Sequence, residues 1–130
     1  MIATGSEVSL ALEAHVRLVA RQIRSRVVSM PCWELFERQP QAYRDAVLPP
    51  DVRARVSIEA ASPFGWERWV GPDGAILGVA SFGASAPGPV VMREFGFTSD
   101  HVVEAVMSVL RRESAGSSAP GARRAAESST

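Results

Sequence analysis

The residues best placed for chemistry lie at the start of the chain, where Thr4, Gly5 and Ser6 separate a short apolar stretch from a long amphipathic one. Gly5 allows a sharp turn, Ser6 is a typical N-cap residue, and Glu7 suits the positive end of a helix. A strand that meets a helix N-terminus often binds anions in α/β sheets, so these three residues form a candidate anion or ligand turn. The sequence has neither G-x-G-x-x-G nor a Walker motif, which favours the alternative of a turn that satisfies its own backbone.

The other chemically capable residues are isolated in sequence. Cys32 follows a proline and precedes a short predicted helix, where a thiol can be activated, but no histidine lies near it, so a half-buried apolar role is favoured. His15 and His101 belong to no H-x-x-x-H or H-E-x-x-H pattern, which argues against a zinc site. A single cysteine cannot form an internal disulfide and fits a reducing compartment.

Aromatic and basic residues suggest a core and a surface rather than a catalytic group. The three tryptophans and five phenylalanines fall mostly in short connections between predicted strands, where they either pack in the core or form a partner surface. The arginines are interleaved with acidic residues, which predicts a solvated, charge-balanced surface; they include Arg38, Arg44, Arg53, Arg55 and Arg68.

Composition limits the class of protein. The chain has 130 residues, of which 46% are hydrophobic, so it can bury the core of one domain. Its formal net charge is zero, and bulk electrostatics therefore gives no reason to expect nucleic acid or an anionic membrane as a partner. No apolar run approaches the ~20 residues of a membrane helix. The N-terminus lacks the pattern of a secretory signal, so we expect a cytoplasmic protein.

The hydrophobic pattern alternates between strands and helices. Strands are predicted over residues 1–4, 26–30, 54–60 and 75–80. Short helices are predicted over residues 32–38, 41–47, 64–70 and 89–95, and a longer one follows a cap at Thr98. This order predicts a three-layer α/β fold, with an open, mostly parallel sheet of about five strands and helices on both faces. One antiparallel edge strand is allowed for, because only a short helix and a turn join the third and fourth strands.

The first helix and the C-terminus have distinct patterns. Helical spacing predicts that the first helix packs on the sheet through Val8, Leu12, Val16, Val19 and Ile23. From Glu113 onward the composition is poor in large apolar residues, which predicts a domain over residues 1–112 and a disordered tail over residues 113–130.

Several segments in order resemble the C-terminal domain of transketolase. They are IATGSEVSLALEA (residues 2–14), RVVSMPCWELFERQ (26–39), YRDAVLPP (43–50), GWERWVG (65–71), FGASAP (82–87) and FGFT (95–98). The resemblance covers roughly residues 2–110 and departs at Trp69, where the family usually has tyrosine. Family members usually carry several more apolar residues before Ile2, so the first strand is expected to be truncated.

The resemblance implies a role within a larger enzyme. Transketolases transfer a two-carbon ketol unit between sugar phosphates with thiamine diphosphate and a divalent metal such as Mg²⁺, and they work as homodimers. The family binds this cofactor in its other domains, so the resemblance assigns no catalytic, cofactor-binding or metal-binding residue to this chain. The expected partners are the remaining transketolase domains or a homodimer partner.

Three hypotheses follow for the chain alone. The first is a transketolase C-terminal domain or fragment with a structural or regulatory role and no activity of its own. The second is a non-enzymatic module that docks on separately encoded transketolase-like domains. The third is a small-ligand regulatory site at the turn of residues 4–6.

Overall fold

The computed structural model describes residues 1–60, 64–78 and 98–117. In order, the elements of these ranges are β1 (Ile2–Ala3), α1 (Glu7–Ala20), β2 (Val28–Ser29), α2 (Trp33–Glu37), α3 (Gln41–Val47), β3 (Val56–Glu59), α4 (Glu67–Val70), β4 (Ala75–Gly78) and α5 (Ser99–Ser117). The predicted helix over residues 89–95 and the end of the fourth predicted strand lie outside the described residues. Across the described ranges, no helix is both long and apolar enough to cross a membrane.

The four strands form one parallel sheet in the order β2-β1-β3-β4. In the centre, Ile2 pairs with Val28 on one side and with Ser57 on the other. The predicted α/β class is confirmed, and β3 and β4 run parallel, so the antiparallel alternative does not apply to this pair of strands. Residues 60–74 contain α4 and are long enough for the crossover of a dozen or more residues that a parallel connection needs. The described ranges contain four strands, where about five were expected.

One face of the sheet, the aliphatic face, is covered by α1 and α5. An ion pair between Arg17 and Asp100 links these two helices at the surface. The buried residues of this face are Ala3, Ala11, Ala14, Leu18, Val56, Ile58, Val102, Val103 and Val109. Small side chains at the contact line let α1 lie close to the strands, since protein interiors pack densely.

The side of α1 that meets the sheet differs from the predicted one. Its buried hydrophobic residues are Ala11, Ala14 and Leu18. Predicted face residues Leu12, Val16 and Val19 are instead 50%, 67% and 55% exposed, and we call these three the outer stripe. Hydrophobicity ranks leucine and valine above alanine, whereas the narrow space between a helix and a sheet favours alanine. The prediction was therefore wrong for these three residues, whereas Val8 and Ile23 pack against the aliphatic face as predicted.

The opposite face, the aromatic face, is closed by short helices and large side chains. Trp33 contacts Trp66 edge to face with ring centroids 5.0 Å apart, and Phe36 meets Trp69 in the same way at 5.3 Å. These rings pack with residues Ile2, Val28, Met30, Leu48 and Ile76. Gly65 has a positive φ of 84°, and a side chain there would collide with the Trp33 ring, so glycine is required at this position.

The two long helices end differently from their predicted boundaries. α1 ends at Ala20, and Gln22 adopts a left-handed conformation with φ 61°. The N–H of Ile23 then donates to the Leu18 carbonyl (2.9 Å), which gives the bonding of a Schellman motif. At the other end of the domain, α5 continues to Ser117, five residues past the position where we predicted the domain to end. The rest of the predicted tail lies outside the described residues.

Candidate ligand turn at the carboxyl edge of the sheet

The turn formed by Thr4, Gly5 and Ser6 lies at the carboxyl end of β1. The chain leaves β1 for β2 on one side and then crosses to β3 on the other, so β1 stands at the switch point of the strand order. Ligands of open α/β sheets bind outside the carboxyl ends of the strands at such a point. The sequence therefore placed its candidate turn where the fold offers a binding edge.

The backbone of the turn is largely satisfied by its own groups. Gly5 has φ 58°, a left-handed conformation that favours glycine. The N–H of Glu7 donates to the Thr4 carbonyl and the N–H of Val8 to the Gly5 carbonyl, each at 3.3 Å. The Ser6 hydroxyl makes no cap bond to the helix and donates to Glu7 Oε1 at 2.9 Å. These contacts match the self-capped alternative and leave fewer N–H groups for a bound anion.

Glu7 sets the electrostatics of the turn. Glu7 is only 5% exposed. Its carboxylate lies beside the helix N-terminus, where an anion would otherwise bind. A second negative charge brought close to this carboxylate in a poorly solvated place would be repelled by it. The arrangement therefore opposes a phosphate at Thr4, Gly5 and Ser6, and a ligand at this turn stays a prediction. Sequence reasoning placed Glu7 on the helix dipole but missed its burial.

A cavity of about 340 Å³ opens beside the turn, with Cys32 and Glu34 on its wall. The Cys32 thiol donates to Glu34 Oε2 at 3.4 Å. A backbone hydrogen bond and then this thiol lower the pKa of Glu34, which keeps its carboxylate charged. Activated cysteines lie in electropositive surroundings, so Cys32 is not poised as a nucleophile.

Each histidine is paired with a hydroxyl group rather than with a metal-ligand set. His15 Nδ1 hydrogen-bonds Ser25 Oγ, which ties α1 to the segment before β2. His101 Nδ1 hydrogen-bonds Thr98 Oγ1 at 2.8 Å, and the N–H of His101 also donates to that hydroxyl. The prediction of Thr98 as the cap of the last helix is thereby confirmed. Within the described ranges, no three of His, Cys, Asp and Glu group together as metal ligands.

The described residues at this edge do not fit the metal and diphosphate of thiamine diphosphate. Such a group needs clustered oxygen ligands for the cation and N–H or cationic donors for the diphosphate. The carboxyl edge instead presents the buried carboxylate of Glu7 and the acidic cavity wall at Glu34 and Glu59.

The aromatic residues divide between core and surface. Trp66 and Trp69 are buried, whereas Phe64 is 88% exposed and Tyr43 is 53% exposed. The core interpretation is thereby confirmed for these two tryptophans, and a partner surface at the exposed rings stays a prediction. Phe82, Phe95 and Phe97 lie outside the described residues.

Arg55 is the residue whose role the sequence least suggested. Its guanidinium donates to the carbonyls of Val52, Trp69, Leu48 and Pro49, at 2.9, 2.9, 3.4 and 2.9 Å. It is half-buried, and burial lowers its pKa. The prediction of a solvated surface position therefore fails for Arg55. It fits the neighbouring Arg53, which pairs with Asp73 at 2.7 Å in an exposed position. No local pattern separates these two arginines, because the carbonyls that Arg55 binds come from two separate segments.

The sequence of this chain matches one protein family and its members. The family described as "Transketolase-like TK C-terminal domain" matches residues 1–98. The transketolase of Geobacillus stearothermophilus is 52% identical over 110 residues, and that of Sinorhizobium medicae is 53% identical over 113 residues. These alignments cover 85% and 86% of this chain and 16% of each relative.

Solved structures agree with the sequence matches. Transketolase from Leishmania mexicana superposes with a TM-score of 0.77 at 48% identity, over 85% of this chain and 16% of that one. A chain described as "Split gene transketolase, inactive beta4 tetramer" gives a TM-score of 0.62 at 24% identity, over 85% of this chain and 38% of that one, and shows the fold alone. The resemblance found in the sequence is confirmed: the chain belongs to the transketolase family, in which it corresponds to the C-terminal domain.

Proposed function

We propose that this chain is a structural or regulatory part of a transketolase and catalyses no ketol transfer alone. The observation that carries this proposal is the extent of the match, since about half of the aligned residues are identical while only 16% of each relative is covered. In the family, as the resemblance implies, thiamine diphosphate and Mg²⁺ are bound by the other domains. Those domains or a homodimer partner are its proposed partners in the cytoplasm.

Calorimetry tests the lack of cofactor binding directly. The full chain is titrated with thiamine diphosphate in the presence of Mg²⁺, and the full-length transketolase of Geobacillus stearothermophilus serves as the positive control. We expect saturable heat from the control only. A dissociation constant in the micromolar range for this chain would contradict the proposal, as would turnover of sugar phosphates in a parallel assay.

A second candidate function is docking on separately encoded transketolase-like domains. Exposed apolar side chains on α2, α3 and the segment before α4 favour it: Leu35 is 58%, Tyr43 53% and Phe64 88% exposed. Exposed aromatic residues are enriched at the energetic centres of protein interfaces. A solved structure described as a split-gene transketolase also supports the idea that such domains occur on separate chains.

Co-expression separates the two candidates. The tagged full chain is produced together with the upstream domains of a transketolase on a second chain, and the retained protein is measured. Docking predicts retention that Phe64→Asp abolishes and Leu12→Asp on the opposite side preserves. A monodisperse monomer that retains none of the second chain would contradict docking.

A further inference from the structure

The cavity of about 340 Å³ beside the candidate ligand turn has walls of two kinds, aromatic and acidic. Thr4 follows β1 and Glu59 ends β3, which places the cavity at the carboxyl edge of two paired strands. We call it the edge cavity, and its lining includes Thr4, Trp33, Glu34, Glu59, Phe64 and Trp66. Since ligands of open α/β sheets bind outside this edge, the lining indicates what kind of ligand would fit.

Aromatic rings form one wall of the edge cavity. The indoles of Trp33 and Trp66 meet at an interplanar angle of 87°, so they form a corner rather than a flat stack. Gly65 allows this corner, because its positive φ brings the chain against the Trp33 ring, where a side chain would collide. Phe64 precedes this glycine and adds a third ring, which is 88% exposed. Aromatic rings around a small space form the cages in which proteins recognise quaternary ammonium groups.

Carboxylates form the other wall of the edge cavity. Glu34 and Glu59 line it, and none of its described lining residues is basic. A backbone hydrogen bond and then the Cys32 thiol lower the pKa of Glu34, so its carboxylate keeps its negative charge. The buried Glu7 lies beside the neighbouring turn and adds a further carboxylate to this edge of the sheet. The electrostatic field in the edge cavity therefore favours a cation.

Two arginines act on Glu34 from outside the edge cavity. The charges of Arg38 and Arg68 contribute to the lowered pKa of Glu34, but neither residue lines the cavity. Arg68 is also paired with Glu37 at 2.8 Å. The described lining therefore supplies no cation of its own inside the cavity.

The size and charge of the edge cavity restrict its ligand. A volume of about 340 Å³ is at the lower end of ligand pockets, which hold about 300–1,000 Å³, and so fits a small molecule. A phosphate or carboxylate group on that molecule would be repelled by the acidic wall. Within the described ranges no set of three metal-ligating residues is present, which disfavours a bare metal ion. An organic cation satisfies both walls, because its alkyl groups contact rings while its charge faces carboxylates.

We propose that the edge cavity binds the alkylated ammonium group of a small organic cation. The corner of Trp33 and Trp66 contacts its alkyl groups together with Phe64, and the carboxylates of Glu34 and Glu59 face its charge. The acidic character that opposes a phosphate at the candidate ligand turn attracts such a cation. This site goes beyond the proposed place of the chain in a transketolase, because its described residues all belong to this domain.

Fluorescence titration of the full chain with choline tests the proposal, because two tryptophans line the edge cavity. We expect a saturable change with choline. Its neutral analogue, in which a tert-butyl group replaces the trimethylammonium group, should bind about tenfold more weakly, because it loses the attraction of a cation to the rings and carboxylates. Phosphocholine, which carries the phosphate of a lipid headgroup, should also bind about tenfold more weakly, because the carboxylates repel its phosphate.

Two pairs of matched variants show where choline binds. Phe64→Leu removes a ring from the edge cavity and should weaken binding about fivefold, whereas Tyr43→Leu removes an exposed ring elsewhere and should leave it unchanged. Glu34→Gln removes a charge from the acidic wall and should weaken binding about tenfold, whereas Glu67→Gln on α4 lies outside the lining and should not. All four side chains are exposed, so these variants should fold as the parent does.

The absence of a saturable signal with choline would overturn the proposal. Equal affinities for choline and either of its analogues would also overturn it, and so would equal effects within either pair of variants. These outcomes do not depend on whether the chain binds thiamine diphosphate or other transketolase domains, so the two proposals fail separately.

Discussion

The two faces of the sheet are closed by different means. On the aliphatic face, two long helices supply many small or branched side chains, and alanines set the close approach of α1. On the aromatic face the helices are only four to seven residues long, and indole and phenyl rings fill the space between them. A short helix cannot present a long apolar stripe, so α2 and α4 contribute one or two large side chains each instead. Helix length and side-chain size thus compensate for one another across a single sheet.

Removing one indole should damage the aromatic face most. Trp66 is 2% exposed and meets Trp33 edge to face. We expect Trp66→Ala to lower the free energy of unfolding by about 3–5 kcal/mol, which is the usual cost of truncating a buried aromatic residue. Urea denaturation would measure the change, with Phe64→Ala as the exposed control. Similar losses for the two variants would contradict the division of the aromatic residues between core and surface.

The next largest effect is expected at Arg55, whose guanidinium donates to carbonyls of two segments beside the aromatic face. Arg55→Met keeps much of the side-chain volume but leaves carbonyls of two segments without their donor. We expect a loss of about 2–3 kcal/mol in the free energy of unfolding. Arg53→Met removes only an exposed ion pair and should cost less than about 1 kcal/mol. If both variants melt alike, Arg55 has no special structural role.

On the aliphatic face, enlarging a buried side chain should lower the stability of the domain, as truncating one does on the aromatic face. Ala14 is fully buried between α1 and the sheet. We expect Ala14→Leu to destabilise the domain by about 1–3 kcal/mol, because an extra side chain forces the helix away from the strands. Ala20→Leu, exposed on the same helix, is the control, and denaturant midpoints compare the two. Tolerance of leucine at position 14 would show that the helix does not lie as close as its alanines imply.

The smallest expected effect lies at the end of α1. Gln22 holds a left-handed conformation that costs a non-glycine residue free energy, so Gln22→Gly should stabilise the domain by about 0.5–1 kcal/mol. Gln22→Ala carries the same backbone cost and should show no such gain. Thermal melts of the two variants measure this. A glycine variant no more stable than the alanine one would argue against the Schellman end.

Local patterns in the sequence predicted the elements better than their orientation. The alternating Val56 and Ile58 marked β3, and the helical repeat of residues 8–23 marked α1. The inward side of that helix was predicted wrongly, because its direction depends on the space beneath it rather than on the hydrophobicity of its residues. The direction of β4 was likewise set by the crossover through residues 60–74, whose path no local pattern encodes.

The candidate site was predicted in position but not in chemistry. The glycine turn was located correctly because a strand followed by a cap residue and a helix is a local pattern. The burial of Glu7 and the carbonyl contacts of Arg55 were missed, since both depend on segments that only the folded chain brings together. The sequence therefore located the turn, while the fold shows that a carboxylate already lies there.

The outer stripe has a consequence for the behaviour of the chain in concentrated solution. Three aliphatic side chains on α1 remain half or more exposed, and the formal net charge of the chain is zero. Without long-range repulsion between molecules, short-range attraction between such stripes is unopposed. Second virial coefficients should therefore be negative near neutral pH and become less so when Val16, the most exposed of the three, is replaced by glutamate. The outer stripe, which lies outside the core, thus influences how closely molecules of this protein approach one another.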